Sequence, residues 1–279
     1  MLQFKPSCRA VIATGCLSER YSRQLMEEIP ELDGLMGVYQ YSRINQCIQE
    51  ALEGKRPVYT GGTPAYLDCF ASKRKLATPQ YMAYLKISEG CNNHCGYCAI
   101  PGIRGKYTAR SFDSLINEAK MLKALGVKEL NITAQDITVY KDGDKGLLEL
   151  IKALDSLGFE WLRLLYAYPG RVSDELLEYM NNSESVCNYL DVPVQHVQDG
   201  LLRAMNRHYT QADITYLYNR IRSFNSGWGI RTTVMTGYPG ETSRDFNSLL
   251  NYITIHPFDH LGAFVFSPEE DTPAYNICL

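Results

Sequence analysis

Residues 91–98 read Cys91-Asn92-Asn93-His94-Cys95-Gly96-Tyr97-Cys98, and their place among the surrounding strands and helices decides the fold. Three thiols spaced C-x3-C-x2-C fold round one metal centre and leave a coordination position unfilled, which catalysis needs and a purely structural site avoids. The loop reads as an open iron-sulfur site. By spacing alone a zinc site with His94 as fourth ligand beside Cys91, Cys95 and Cys98 also fits. Against zinc, His94 adjoins Cys95, and no further C-x2-C pair exists in the chain to supply a second knuckle. Tyr97, just before the last thiol, supplies an aromatic wall suited to a cofactor.

Upstream of the loop, residues 81–88 are strand-like; downstream, residues 112–125 carry Leu115, Ala119, Leu122 and Leu125 on one helical face, and Gly126 stops that helix. The alternation recurs. Candidate strands cover 130–135, 162–168, 189–195, 230–237 and 261–267, with amphipathic helices at 147–157, 174–180, 201–205, 214–224 and 246–255. Counting the strand before the cysteines, six βα units predict a parallel sheet with right-handed crossovers, either doubly wound or curled into a barrel. The cysteine loop then sits at the carboxyl ends of the strands, where active sites of such folds lie. Leu130, Ile132 and Ala134 alternate with Asn131, Thr133 and Gln135. This polar face predicts a lumen that holds a ligand, an edge strand with a solvated face being the plainer alternative.

Before the barrel, an apolar run at 10–14, a helical pattern at 21–29, a second apolar run at 34–38 and a helix-like stretch at 44–52 predict a small parallel α/β domain. Regular patterning lapses from Lys55 to Pro79. The division expected is therefore 1–54 as a partial N-terminal domain, 55–79 as linker and 80–279 as barrel. With 279 residues, 45% of them apolar, there is enough chain for one barrel and a smaller piece. The net charge of -3 supplies no global basic field, so direct nucleic-acid binding is not indicated. No run approaches the ~18 apolar residues of a membrane span, and no signal segment opens the chain, so the expected address is the cytoplasm, with no membrane partner. Nine cysteines, three within eight residues and the rest scattered, suit metal ligation in a reducing compartment rather than a disulfide framework.

The C-x3-C-x-aromatic-C loop after the first strand of a six-fold βα barrel resembles the radical S-adenosylmethionine (SAM) superfamily. Tyr84-Leu85-Lys86-Ile87-Ser88-Glu89-Gly90-Cys91, then Cys98-Ala99-Ile100-Pro101 and Arg104-Gly105, are similar to its methylthiotransferases. Thr14-Gly15-Cys16-Leu17, Leu190-Asp191-Val192-Pro193-Val194-Gln195-His196, Gly237-Tyr238-Pro239-Gly240-Glu241-Thr242 and Ser267-Pro268-Glu269-Glu270 extend the likeness to the RimO branch over nearly the whole chain. RimO enzymes methylthiolate an aspartate β-carbon on the twelfth protein of the small ribosomal subunit, whereas MiaB-like relatives modify adenosine in transfer RNA. The run Arg163-Leu164-Leu165-Tyr166-Ala167-Tyr168-Pro169 is more similar to the protein-modifying branch. Transfer-RNA modification, or a non-catalytic metal- or cluster-binding fragment, are the competing functions.

The resemblance implies a radical SAM partial (β/α)6 barrel preceded by the remnant of a small α/β methylthiotransferase domain. It also implies that Cys91, Cys95 and Cys98 hold a 4Fe-4S cluster whose free iron chelates SAM, which one electron from a reductase or ferredoxin-type donor then cleaves. No catalytic side chain is expected beyond these ligands. Tyr97, Gln135, Asp136, Gln195 and Gly237 are the candidate SAM contacts. Arg231 suits the SAM carboxylate by charge but stands at the start of its strand, the wrong end. Arg104, Lys106 and Arg110 read as guides for an acidic group or as solvated surface charge. Methylthiotransferases carry a second cluster on three cysteines; Cys16 matches the third, and the first two would precede Met1. With no all-β TRAM domain after Leu279 either, the expectation is a fragment with one complete and one incomplete cluster site, able to cleave SAM but not to finish methylthio transfer.

Overall fold

The computed structural model describes residues 7–63, 75–224 and 227–278. Two compact units emerge: Met1–Phe70 with Gly102–Gly105, and Ala71–Pro101 with Lys106–Leu279. Residues 64–74 of the expected linker, including Cys69, lie outside the described residues.

In the smaller unit, β1 (Ile12–Thr14), β2 (Gly34–Met36) and β3 (Val58–Tyr59) form a parallel sheet in that order. Helices Ser22–Glu28 and Ile44–Leu52 fall where the apolar period places them. Leu32, Leu35, Met36 and Val38 are buried, as is Cys47 on the second helix. Two elements differ from expectation. A five-residue helix, Cys16–Arg20, precedes the predicted one, and β3 falls within the stretch read as linker; both are too short to show a period.

The larger unit is built on β4 (Met82–Lys86), β5 (Glu129–Thr133), β6 (Trp161–Leu164), β7 (Val186–Asp191), β8 (Gly229–Thr236) and β9 (His260–Val265), all parallel and adjacent in chain order. β4 and β9 are the free edges of this six-stranded sheet. Ala83, Leu85, Leu130, Ile132, Leu162, Leu164, Leu190 and Ile230 turn to the helices and form the main core with them. Successive strand residues point to opposite faces, so Tyr84, Asn131, Arg163, Asp191 and Arg231 line the other side, as the alternation predicted. Ion pairs of Arg163 with Glu129 (2.9 Å) and Arg231 with Asp191 (2.7 Å) occupy that side.

The strands end earlier than their apolar runs. β6 stops at Leu164 instead of residue 168, and β7 at Asp191 instead of 195. Tyr166 (φ 67°) and Gln195 (φ 62°) are both left-handed, a conformation that costs a non-glycine residue on the order of 1 kcal/mol and breaks the ladder. Gln195 retains only an isolated bridge to Val234. Released from regular pairing, these carboxyl ends become the walls of a pocket. A two-residue antiparallel pairing, Ser88–Glu89 with Thr108–Ala109, brackets the cysteine loop in sequence and was not foreseen.

Candidate metal centre and cofactor pocket

Cys95 is buried while Cys91 and Cys98 are half-buried. Burial pushes the thiols of Cys91 and Cys98 up from their ordinary value, and neighbouring thiols add to it, Cys95 acting on Cys91 and both acting on Cys98. The three thiols therefore stand within electrostatic reach of one another. His94 is left-handed (φ 47°). Gly96 is fixed by space, since a Cβ there would lie 2.7 Å from the Tyr238 hydroxyl and 3.1 Å from the Ala204 carbonyl.

The backbone pressing on Gly96 belongs to the end of helix Asp199–Ala204 and the residue after it. The Gly96 N–H donates to the Met205 carbonyl (2.9 Å). Asn206, itself left-handed (φ 55°), donates its side-chain amide to the Asn93 (3.1 Å) and His94 (2.9 Å) carbonyls. Arg207 Nη1 lies 3.4 Å from Cys95 Sγ. Residues 205–207 thus grip the loop from Asn93 to Gly96, a role that sequence reading missed because the segment is a short helix end with no motif of its own.

Arg207 is buried, 8% exposed. Its Nε donates to the Tyr209 hydroxyl (2.7 Å) and its Nη2 to the Pro193 carbonyl (2.9 Å), and the guanidinium stands 4.5 Å from the Tyr168 ring centre. Among the described residues no carboxylate pairs with it.

A cavity of about 150 Å³ opens beside this cation, walled by Asn93, Gln135, Asp136, Tyr166, Gln195 and Arg207 among others. Gln135 donates its amide N–H to Glu89 (2.9 Å), while its buried Oε1 has no protein partner. That orphaned acceptor faces a cost of ~1–3 kcal/mol unless a donor reaches it. The Gln195 amide likewise has no side-chain partner among the described residues. Asp136 is fully engaged: Oδ2 accepts from Asn93 Nδ2 (2.9 Å) and Arg171 Nη1 (2.7 Å), and Oδ1 accepts from the Thr138 N–H (3.0 Å), capping the turn Ile137–Val139. It acts on the pocket by fixing Asn93.

Of the five candidate SAM contacts, Gln135, Asp136 and Gln195 come together at the cavity. Tyr97 instead packs edge-on against Tyr238, centroids 6.5 Å apart, beside Leu201, Met205 and Ala274. Gly237 (φ 79°) forms the turn whose N–H donates to Glu241. Arg231, on β8, spends its charge on Asp191. Arg110 is neither surface charge nor a guide: it is 3% exposed and paired with the buried Glu118 at 2.6 Å. In the smaller unit, Cys16 Sγ accepts from Arg104 Nε (3.3 Å) and Nη2 (3.1 Å).

Among the described residues no group of three or more His, Cys, Asp or Glu side chains is arranged to hold a single ion, and the His94 side chain is exposed. A four-iron cluster would be held by three thiolates, with one iron left free for a small cofactor. The three thiols of this one loop fit that group. The orphaned Gln135 acceptor in the cavity fits a cofactor bearing an ammonium.

A six-stranded parallel α/β sheet with a three-cysteine loop after its first strand, and a polar cavity at the carboxyl ends, defines a barrel protein built to hold a cluster and a small cofactor. The family model of the Radical SAM superfamily matches residues 85–253, and the chain belongs to this superfamily, whose cofactors are a 4Fe-4S cluster and SAM. It is 45% identical over 271 residues to a ribosomal protein uS12 methylthiotransferase RimO of Geotalea uraniireducens, covering 96% of this chain and 60% of that one. A RimO of Clostridium novyi is 42% identical over 96% of this chain and 61% of its own. The chain thus spans about 60% of the length of these curated relatives. Among solved structures, a radical SAM methyltransferase, TsrM, from Kitasatospora setae with cobalamin and a 4Fe-4S cluster bound shares the fold, with a TM-score of 0.57, 17% identity and coverage of 73% of this chain and 42% of that one.

Proposed function

We propose that this chain is the SAM-cleaving part of a RimO-type methylthiotransferase that adds a methylthio group to an aspartate β-carbon of ribosomal protein uS12. The observation that carries it is the likeness to RimO over 96% of the chain, with a polar cavity walled in part by Asn93 of the cysteine loop. In this reading residues 1–54 are part of the N-terminal domain, 55–79 the linker and 80–279 the barrel.

Cys91, Cys95 and Cys98 hold the cluster, which supplies, when bound, the electron for reductive cleavage of SAM. Gln135 Oε1 takes the SAM ammonium and Gln195 its ribose. Asp136 keeps Asn93 in place, Tyr97 braces the loop against Tyr238, and Gly237 lets the backbone turn at the end of β8. Cys16 is one ligand of a second cluster. The electron comes from a reductase or ferredoxin-type donor, and the setting is the cytoplasm, where ribosomal protein is made. Among the described residues no helix is long and apolar enough to cross a membrane.

Anaerobically reconstituted protein given SAM and dithionite is expected to release 5'-deoxyadenosine and to lose that activity in Cys95→Ser. A colourless, zinc-loaded protein would sink the proposal. For the full-length enzyme, the mass gain of a methylthio group should appear on uS12; a gain on transfer RNA instead would assign it to the RNA-modifying branch.

A further inference from the structure

We infer that Arg207 is a positioning residue that sets the reduction potential of the cluster by holding a fixed positive charge against the Cys95 sulfur. The inference rests on the cluster assignment above. Three observations carry it. The guanidinium is buried yet has no carboxylate partner among the described residues, so the nearest anion available to offset its charge is the Cys95 thiolate 3.4 Å away. Its other two nitrogens are each anchored, Nε on the Tyr209 hydroxyl and Nη2 on the Pro193 carbonyl, so Nη1 cannot swing away without breaking both bonds. The backbone beside it is locked to the same loop through Met205 and Asn206.

A buried cation with those bonds is costly to keep unless an anion is close, and a thiolate-ligated cluster becomes more negative when it takes up an electron. Hydrogen bonds to the sulfurs, net charge and solvent exposure are the levers that set such potentials, and Arg207 supplies the first two at one ligand. The step affected is the addition of one electron to the oxidised cluster from a low-potential reductant, with no bond made or broken and no proton transferred. A positive charge at Cys95 favours the reduced form and so makes the cluster easier to reduce.

The test is a redox titration of the reconstituted chain, followed by the paramagnetic signal of the reduced cluster and run without SAM so that contacts in the cavity do not enter. Iron and sulfide content is matched between variants. Arg207→Gln, which removes the charge, is expected to shift the midpoint to more negative potential, the reduced-to-oxidised ratio at the wild-type midpoint falling about tenfold, which is about 59 mV for a one-electron couple. Arg207→Lys, which keeps the charge, should recover most of the shift. A wild-type midpoint in Arg207→Gln at full cluster content overturns the inference, as does a midpoint in Arg207→Lys as low as that of Arg207→Gln. An unchanged midpoint with weakened SAM binding would assign Arg207 to the cofactor instead. Loss of the cluster in both variants would also overturn it, leaving Arg207 a scaffold for the loop. Failure of the wild-type chain to take up any cluster would strike the proposed function itself.

Discussion

Two buried residues show how a charge is managed away from the pocket. Arg110 and Glu118, 3% and 2% exposed, pair at 2.6 Å, and Arg110 also donates to the Lys86 carbonyl (3.0 Å) at the end of β4. Removing one partner of a buried pair strands the other, typically at a cost of ~3–5 kcal/mol. Glu118→Ala should therefore lower stability by about that amount in urea unfolding, and Glu118→Gln by less; a loss under ~1 kcal/mol would mean that water reaches Arg110. His196 is fully buried and its Nδ1 accepts from the Gln198 N–H (3.0 Å), so the ring is neutral with its proton on Nε2, facing Glu241 at 3.3 Å. Burial holds its pKa below the ordinary 6.5, outweighing the opposing pull of Glu241. The unfolded chain then binds a proton that the folded chain refuses, so stability is present above pH 6.5 and falls as the pH drops below it. His196→Asn, which keeps an acceptor for Gln198, should flatten the stability profile below about pH 6.5 by up to ~1.4 kcal/mol per pH unit. Identical slopes in the two proteins would show that His196 does not titrate.

Among the elements, caps decide where helices start, and the apolar period alone does not show them. The apolar period placed one helix at 214–224, whereas it spans Gln211–Ser223 because Thr210 and Asp213 close a reciprocal box: Asp213 N–H to Thr210 Oγ1 at 3.3 Å and Thr210 N–H to Asp213 at 2.8 Å. The helix at Ser243–Ile255 likewise begins three residues before the periodic stretch, on Thr242 and Asp245. Thr210→Ala should cost about 1 kcal/mol in thermal or chemical unfolding and Thr210→Ser far less; equal losses would point to the methyl group instead. The strands themselves were legible, since Leu130, Ile132, Leu162, Leu164 and Ile230 carry period two against helices with period 3.6. Their carboxyl ends were not, because Tyr166 and Gln195 depart from strand geometry without any glycine to announce it. The same holds for the site. The thiols and Gln135 could be picked out by type and position, while Asn206 and Arg207 reach the loop from more than a hundred residues away in sequence, a pairing that only the fold discloses.

At the scale of the larger unit, the open sheet makes stability uneven from one edge to the other. The central strands β5, β6 and β7 are paired on both sides, and Leu130, Ile132, Leu162, Leu164 and Leu190 lie in the main core. β9 is paired on one side only, through residues 260–265 against 231–236 of β8. Its side chains are poorly covered, with Leu261 40%, Phe264 60% and Val265 80% exposed. Local opening free energy follows buried apolar area and the number of backbone bonds that must break. β9 has little of the first and half the usual ladder of the second, so it should open without the rest of the sheet. Hydrogen exchange on the chain under native conditions is expected to exchange the amides of β9 several orders of magnitude faster than those of β5 and β6, which should exchange only with global unfolding. Protection in β9 equal to that of β5 would mean that this edge is held by something other than its own packing, and the exposed face of Leu261, Phe264 and Val265 would then have to be counted as covered in solution.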